Sequence, residues 1–158
     1  MISIRPAVVN DCQQIFDFIM ELAIYEKAPE QVITNVSEIE QSLFGEGSNA
    51  HALICEVDGS AAGMSIYFYN YSTWLGKPGL FLEDLYVSPS YRGKGAGIAL
   101  MKALASKAVN ENCGRFEWNV LDWNTPAIKF YDSIKAEPQS EWLGYRLEGD
   151  KLHDFANT

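Results

Sequence analysis

Apolar residues return every three or four positions at Ile15, Phe18, Ile19, Leu22 and Ala23, the spacing of one helix face. That spacing predicts a helix from Asn10 to about Lys27, with Asn10 as its cap, Gln13 returning the bond and Pro29 forbidding continuation. Before it, Ile2 to Arg5 predicts a short strand ended by Pro6. Ser37-Glu-Ile-Glu40 has the form of a capping box, predicting a second helix over Glu38 to Phe44 that stops at Gly45. The period then changes to two. Leu53, Cys55 and Val57 mark a strand over Ala52 to Val57, Asp58-Gly59 a hairpin turn, and Ala61 to Tyr71 the returning strand. Leu80 to Val87 is almost continuously apolar and predicts a central strand buried on both faces, ended by Ser88-Pro89-Ser90. Ile98, Met101, Ala105 and Ala108 share one face of a helix reaching about Asn110. A strand over Arg115 to Leu121 follows. Next comes a helix capped by Thr125, with Pro126 first and Ile128, Phe130 and Tyr131 inside. Glu141 to Leu147 suggests one or two closing strands before a frayed end. The order predicts one α/β domain over residues 1–158, a mixed sheet flanked by helices.

Between the central strand and the next helix, Gly93, Gly95 and Gly97 alternate. Alternate glycines remove the Cβ atoms that would hold a ligand off the backbone N–H groups, and the helix behind them adds free donors and a positive dipole end. A flexible glycine turn is the alternative for the loop alone. With strand and helix on either side, the arrangement suits a pyrophosphate. The spacing matches neither the dinucleotide fingerprint nor the P-loop.

The chain has 158 residues, 47% apolar and 21% charged, ordinary for a globular domain. No apolar run approaches the roughly 20 residues of a membrane span, and the N-terminus reads as strand rather than signal peptide. Cys12, Cys55 and Cys113 are odd in number and scattered, which suits reduced thiols and a cytoplasmic protein. Two histidines, His51 and His153, support neither a metal cluster nor a catalytic triad, and no metal is expected. A formal charge of −9 disfavours nucleic acid and favours small cations.

Arg92-Gly93-Lys94-Gly95-Ala96-Gly97 after a buried strand resembles the acyl-CoA signature of the GNAT N-acetyltransferases, and the order of elements resembles the GNAT fold. Leu22 to Glu26, Leu82-Glu83-Asp84 joined to Tyr91-Arg92-Gly93, and Trp123-Asn124 are similar to the diamine and thialysine acetyltransferase branch. The resemblance implies acetyl-CoA as co-substrate. Leu85, Tyr86 and Val87 would pair with its pantetheine arm, and Arg92, Gly93, Lys94, Gly95, Ala96, Gly97 and Ile98 would receive its pyrophosphate. Asn124, Thr125, Pro126 and Ala127 would flank it on the other side. It also implies a homodimer, Tyr131 as general acid, and direct transfer with no covalent enzyme species.

The acceptor implied is a small cationic amine. At pH 7 only about one alkylamine in 2,500 is unprotonated, a deficit of about 4–5 kcal/mol, so a carboxylate that binds the cation and takes its proton is needed. Glu83, lying in an apolar strand where desolvation raises a carboxyl's pKa, is the candidate base, against a structural reading as a buried ion pair. Asp84 must face the other way unless the strand is bulged. Tyr25 and Glu26 join the acceptor set. Glu26 sits in a last helical turn, where the helix dipole disfavours an anion. Trp74 is the aromatic wall. Polyamine-acetylating members carry an acid where this chain has Ser72-Thr73, which favours a lysine-like or short diamine acceptor. A peptide or protein N-acetyltransferase and a non-catalytic acyl-CoA-binding module are the alternatives.

Overall fold

The computed structural model describes residues 1–158, which gather into two compact units, Met1–Asn119 and Val120–Thr158. The first holds strands β1 (Ile2–Pro6), β2 (Ala50–Val57), β3 (Ser60–Ser72), β4 (Lys77–Val87) and β5 (Phe116–Trp118), and helices α1 (Cys12–Tyr25), α2 (Val36–Phe44) and α3 (Ala96–Asn110). Its strands lie in chain order, antiparallel except for the parallel β4–β5 pair. The second holds helices α4 (Thr125–Ser133) and α5 (Gly149–Ala156). This is the α/β architecture expected, with a mixed sheet and helices. No helix is long and apolar enough to cross a membrane.

One face of the sheet packs on α1 and α2, through Ile54, Met64 and Tyr86 against Ile15, Phe18 and Ile39. The other carries α3, whose buried residues are Ala96, Leu100, Met101, Leu104 and Ala108. Ile98, expected on the buried stripe, is exposed. The β2–β3 hairpin turns at Asp58-Gly59 with φ of 50° and 82°, the positive pair that a two-residue hairpin requires.

Several boundaries differ from expectation for identifiable reasons. Asn10 caps nothing; a single 3-10 turn over Val9–Asp11 leads into α1. There the Asp11 carboxylate accepts from Val8 N–H at 2.7 Å and from Arg5 at 2.8 and 2.9 Å. The cap of α2 is Asn35, not Ser37: its side-chain oxygen accepts from Glu38 N–H at 2.9 Å. The cap of α4 is Asn124, accepting from Ala127 N–H at 3.4 Å, so Thr125 and Pro126 lie inside the helix. β5 is three residues rather than seven. The closing strands are absent from Glu141–Leu147, and the end expected to fray forms α5.

Candidate active site

β4 organises the first unit's site. Its register against β3 shifts at Ile66/Tyr67: Leu82 faces Tyr67, Asp84 faces Ile66, and Glu83 is the extra residue of a bulge. The bulge frees Asp84 from strict alternation. Asp84 shares a face with its partner Ile66, and Tyr86 with Met64, so both lie on the α1 side. Glu83 is exposed, whereas Asp84 is partly buried. The desolvation expected of Glu83 therefore falls on its neighbour. Burial first, then the charges of Glu83 and Glu26, push the Asp84 carboxyl up to about 6.

Glu26 is the residue at which α1 ends; its N–H donates to Leu22 O at 2.8 Å. Burial raises its pKa too. Glu26 and Glu83 thus lie close enough to Asp84 for their charges to act on its carboxyl. No three His, Cys, Asp or Glu side chains gather as a metal site would require.

Tyr25, one residue before Glu26, meets Arg92. The Arg92 guanidinium carbon lies 5.4 Å from the centre of the Tyr25 ring and 5.5 Å from that of Tyr86, and its Nε donates to Val87 O at 2.9 Å. Ser88 donates to Glu21 at 3.0 Å, and Glu21 also reaches the Tyr86 hydroxyl, whose pKa burial and that bond raise. Glu21 and Ser88 escaped the sequence reading. The available signal was the spacing of four between Glu21 and Tyr25, which puts both on one helix face.

The cofactor side follows from strand geometry. Ser88 N–H donates to Ala62 O at 2.9 Å, so pairs two residues away, Met64 with Tyr86, are the hydrogen-bonded ones. Leu85 and Val87 therefore direct their main-chain groups away from β3. β5 pairs with β4 only as far as Leu82, so no strand meets that edge beyond it. Of the three residues expected to pair with a pantetheine arm, Leu85 offers its N–H and C=O at an open edge and Val87 its N–H, the Val87 C=O already accepting from Arg92. Tyr86 does not: its backbone belongs to β3 and its side chain to the core.

Beyond β4, Gly93 and Gly95 take φ of 75° and 93°, which turn the loop into α3 with Gly95 as its cap. Ala99 N–H is bonded to Gly95 O at 3.0 Å, leaving the N–H groups of Ala96, Gly97 and Ile98 without an acceptor inside the helix. The first turn carries no acid, and Lys94 lies over the Tyr91 ring at 5.7 Å. Free donors, a positive dipole end and a lysine fit the diphosphate of a coenzyme A, and the open edge of β4 fits its amide arm.

Trp74 is not part of this group. It sits 84% exposed in the β3–β4 turn, six or more strand residues and so about 20 Å from Glu83. Ser72 is buried there, its hydroxyl accepting from Leu75 N–H at 3.1 Å, so it stabilises the turn.

Asn124, Thr125, Pro126, Ala127 and Tyr131 belong to the second unit. Tyr131 is half-buried on α4, its ring 5.7 Å from that of Phe130, and desolvation raises its pKa.

Comparison with known proteins agrees with this geometry. The model of the acetyltransferase (GNAT) family matches residues 13–134, across the boundary between the two units. The thialysine N-epsilon-acetyltransferase of Mus musculus is 37% identical, over 97% of this chain and 96% of the mouse protein. The L-ornithine N5-acetyltransferase NATA1 of Arabidopsis thaliana is 44% identical over 58% of this chain and 40% of its own length. Among solved structures, an integron cassette protein from the mobile metagenome of V. cholerae superposes with a TM-score of 0.83 at 28% identity, covering 99% of this chain and 98% of that one. An open strand edge running into a glycine-capped helix, matched along most of its length, makes this chain a member of the GNAT acetyltransferase family.

Proposed function

We propose that this acetyl-CoA-dependent N-acetyltransferase acts on the terminal primary amine of a short, lysine-like side chain of the thialysine type, with a short diamine such as ornithine as the second reading. The observation that carries the proposal is the carboxylate group of Glu26, Glu83 and Asp84, gathered at the end of α1 beside β4. Likeness to a thialysine acetyltransferase over nearly the whole chain supports the first reading, and the shorter likeness to an ornithine acetyltransferase the second. Ser72 lends less support, since its hydroxyl is committed to the turn.

In this reading Glu83, exposed on the bulge, and Glu26 hold the ammonium, and Asp84 takes its proton. A carboxylate near 6 lies about two units closer to an amine than an ordinary aspartate does, about 3 kcal/mol of proton-transfer cost removed. This moves the base assignment from Glu83 to its neighbour. Acetyl-CoA, when bound, supplies the activated thioester. Leu85 and the Val87 N–H would hold its arm, the amides of Ala96, Gly97 and Ile98 its diphosphate, and an outward N–H of Leu85 or Val87 would polarise the carbonyl. As the family resemblance implies, Asn124, Thr125, Pro126 and Ala127 would flank it, and Tyr131 would donate to the departing sulfur. The family match over residues 13–134 supports reading the chain as one acetyltransferase domain.

A thiol-release assay with acetyl-CoA tests the acceptor. Thialysine or lysine is expected to give the highest kcat/KM, ornithine and putrescine less, spermidine and a lysine peptide least. Preference for the peptide would replace the small-amine reading with a protein acetyltransferase. Coenzyme A binding with silence across the panel would leave a binding module.

The protein is also expected to be a homodimer. Trp142, Leu143, Tyr145 and Phe155 of the second unit are each more than two-thirds exposed, apolar side chains that a second copy would cover. Light scattering should read twice the 17.7 kDa chain mass, and a monomer at micromolar concentration would refute it. The unpaired thiols of Cys12, Cys55 and Cys113 suit a reducing, cytoplasmic compartment.

A further inference from the structure

Arg92 belongs to the glycine-loop motif, and its place there suggests a cation for the diphosphate. Its side chain goes elsewhere. Nε donates to Val87 O at 2.9 Å, and the guanidinium carbon stands 5.4 Å from the centre of the Tyr25 ring and 5.5 Å from that of Tyr86. Those three contacts use the donor edge and the planar face by which an arginine recognises its partners. Two of the anchors are fixed. Val87 ends β4, and the Tyr86 ring is packed on Phe18 at 6.0 Å in the core between sheet and α1. The third, Tyr25, is exposed on the last turn of α1, immediately before Glu26. Arg92 thus joins a rigid strand end to the helix end that carries part of the acceptor site.

We infer that Arg92 is a positioning residue for the acceptor amine: it seats the Tyr25 ring, and with it the Glu26 end of α1, against β4. The diphosphate is left to the backbone amides of the loop and helix and to Lys94. The assignment rests on the acetyltransferase reading above and deepens it. It also gives the motif arginine two tasks in sequence space: following Tyr91 it closes the turn after β4, and its side chain reaches back across that turn to the acceptor side.

The test uses the full chain, with thialysine as acceptor and acetyl-CoA affinity measured separately by calorimetry. Arg92→Ala and Tyr25→Ala are each expected to raise the KM for thialysine about 5- to 10-fold, the size that losing exposed cation–ring contacts and one hydrogen bond permits. The Kd for acetyl-CoA should move by less than about two-fold, since the amides that carry the diphosphate are untouched. Because Tyr25 is held through the Arg92 contact, the double variant should be no worse than the more impaired single one. Tyr25→Phe, which keeps the ring face, should lose less than Tyr25→Ala. An Arg92→Ala variant with a tenfold weaker acetyl-CoA Kd and an unmoved amine KM would make Arg92 a phosphate ligand and overturn the inference, as would additive losses in the double variant. The seating has a readout independent of turnover. In the unliganded protein the Arg92 side-chain proton resonances should be shifted by the ring and should move toward ordinary values in Tyr25→Ala; no movement would overturn the link. A wild-type chain that turned over no amine would instead overturn the acetyltransferase reading, with the resonance experiment still deciding on Arg92.

Discussion

Asp84→Asn is expected to lower kcat/KM for the amine by about 100-fold or more, while making the protein more stable at pH 8. Both effects come from one cause. Asp84 is the desolvated carboxyl of the group, pushed from 3.8 up to about 6 by burial and by the charges of Glu83 and Glu26. Between those two values the native state holds a proton that the unfolded chain has released, so stability falls as pH rises through that window and stays lower above it. A shift of about two units corresponds to about 3 kcal/mol forgone at neutral pH. Asparagine has nearly the same shape and does not ionise, so the variant escapes that loss. Its advantage in urea denaturation should be full at pH 8, shrink through the window around 5, and vanish below 3.8. The same ionisation should appear in catalysis as a rise of kcat/KM through an apparent pKa near 6, missing in the variant. A variant less stable than wild type at pH 8 would show that the carboxylate has a favourable partner in the fold, and would end its assignment as the poised base. Strain of this kind is expected where a site must keep anions close together for a cation that arrives only with the substrate.

The same pair of residues shows how far the sequence could be read. Glu83 and Asp84 stand out in an apolar run whatever the fold, and the glycine loop beyond them points to a diphosphate by its chemistry alone. Which of the two carboxylates is desolvated depends on a one-residue bulge, and a bulge is set by the pairing of Ile66 and Tyr67 with Leu82 and Asp84 across the sheet, not by local preference. Caps failed for a related reason. Asn35…Glu38 and Ser37…Glu40 both have capping spacing, and the earlier one wins where Ile39 is buried on the inner face of α2. Glu141–Leu147 reads as strand in composition, but a strand needs a partner ladder, and this segment has none in the chain. Trp74 joins the expected acceptor set through its aromatic loop and the family resemblance, but the length of β4 separates it from Glu83. Arg92 was assigned by its motif, whereas its contacts are with rings whose positions only the fold defines.

Tyr131→Phe is expected to reduce kcat by about 100-fold with the acetyl-CoA Kd changed by less than about two-fold. The hydroxyl is the only group removed, and the ring stays half-buried on α4 beside Phe130, so the change is confined to one donor. Desolvation raises the Tyr131 pKa above its ordinary value of 10, which keeps the phenol protonated across the working range. A phenol above 10 is a weaker acid than a thiol near 8.5, so complete transfer to a free thiolate would run uphill by more than about 2 kcal/mol. As the proposed donor, Tyr131 would therefore act while the carbon–sulfur bond is still breaking, as a hydrogen bond to developing charge, and the proton would finally come from the ammonium by way of solvent. That mechanism makes a distinction the pH profile can read. The wild-type kcat should hold to high pH, because the phenol ionises late, and the variant should show a flat, low profile with no alkaline limb of its own. A kcat within about three-fold of wild type would remove Tyr131 from the chemistry, leaving solvent to protonate the sulfur, and would return the residue to the packing of α4.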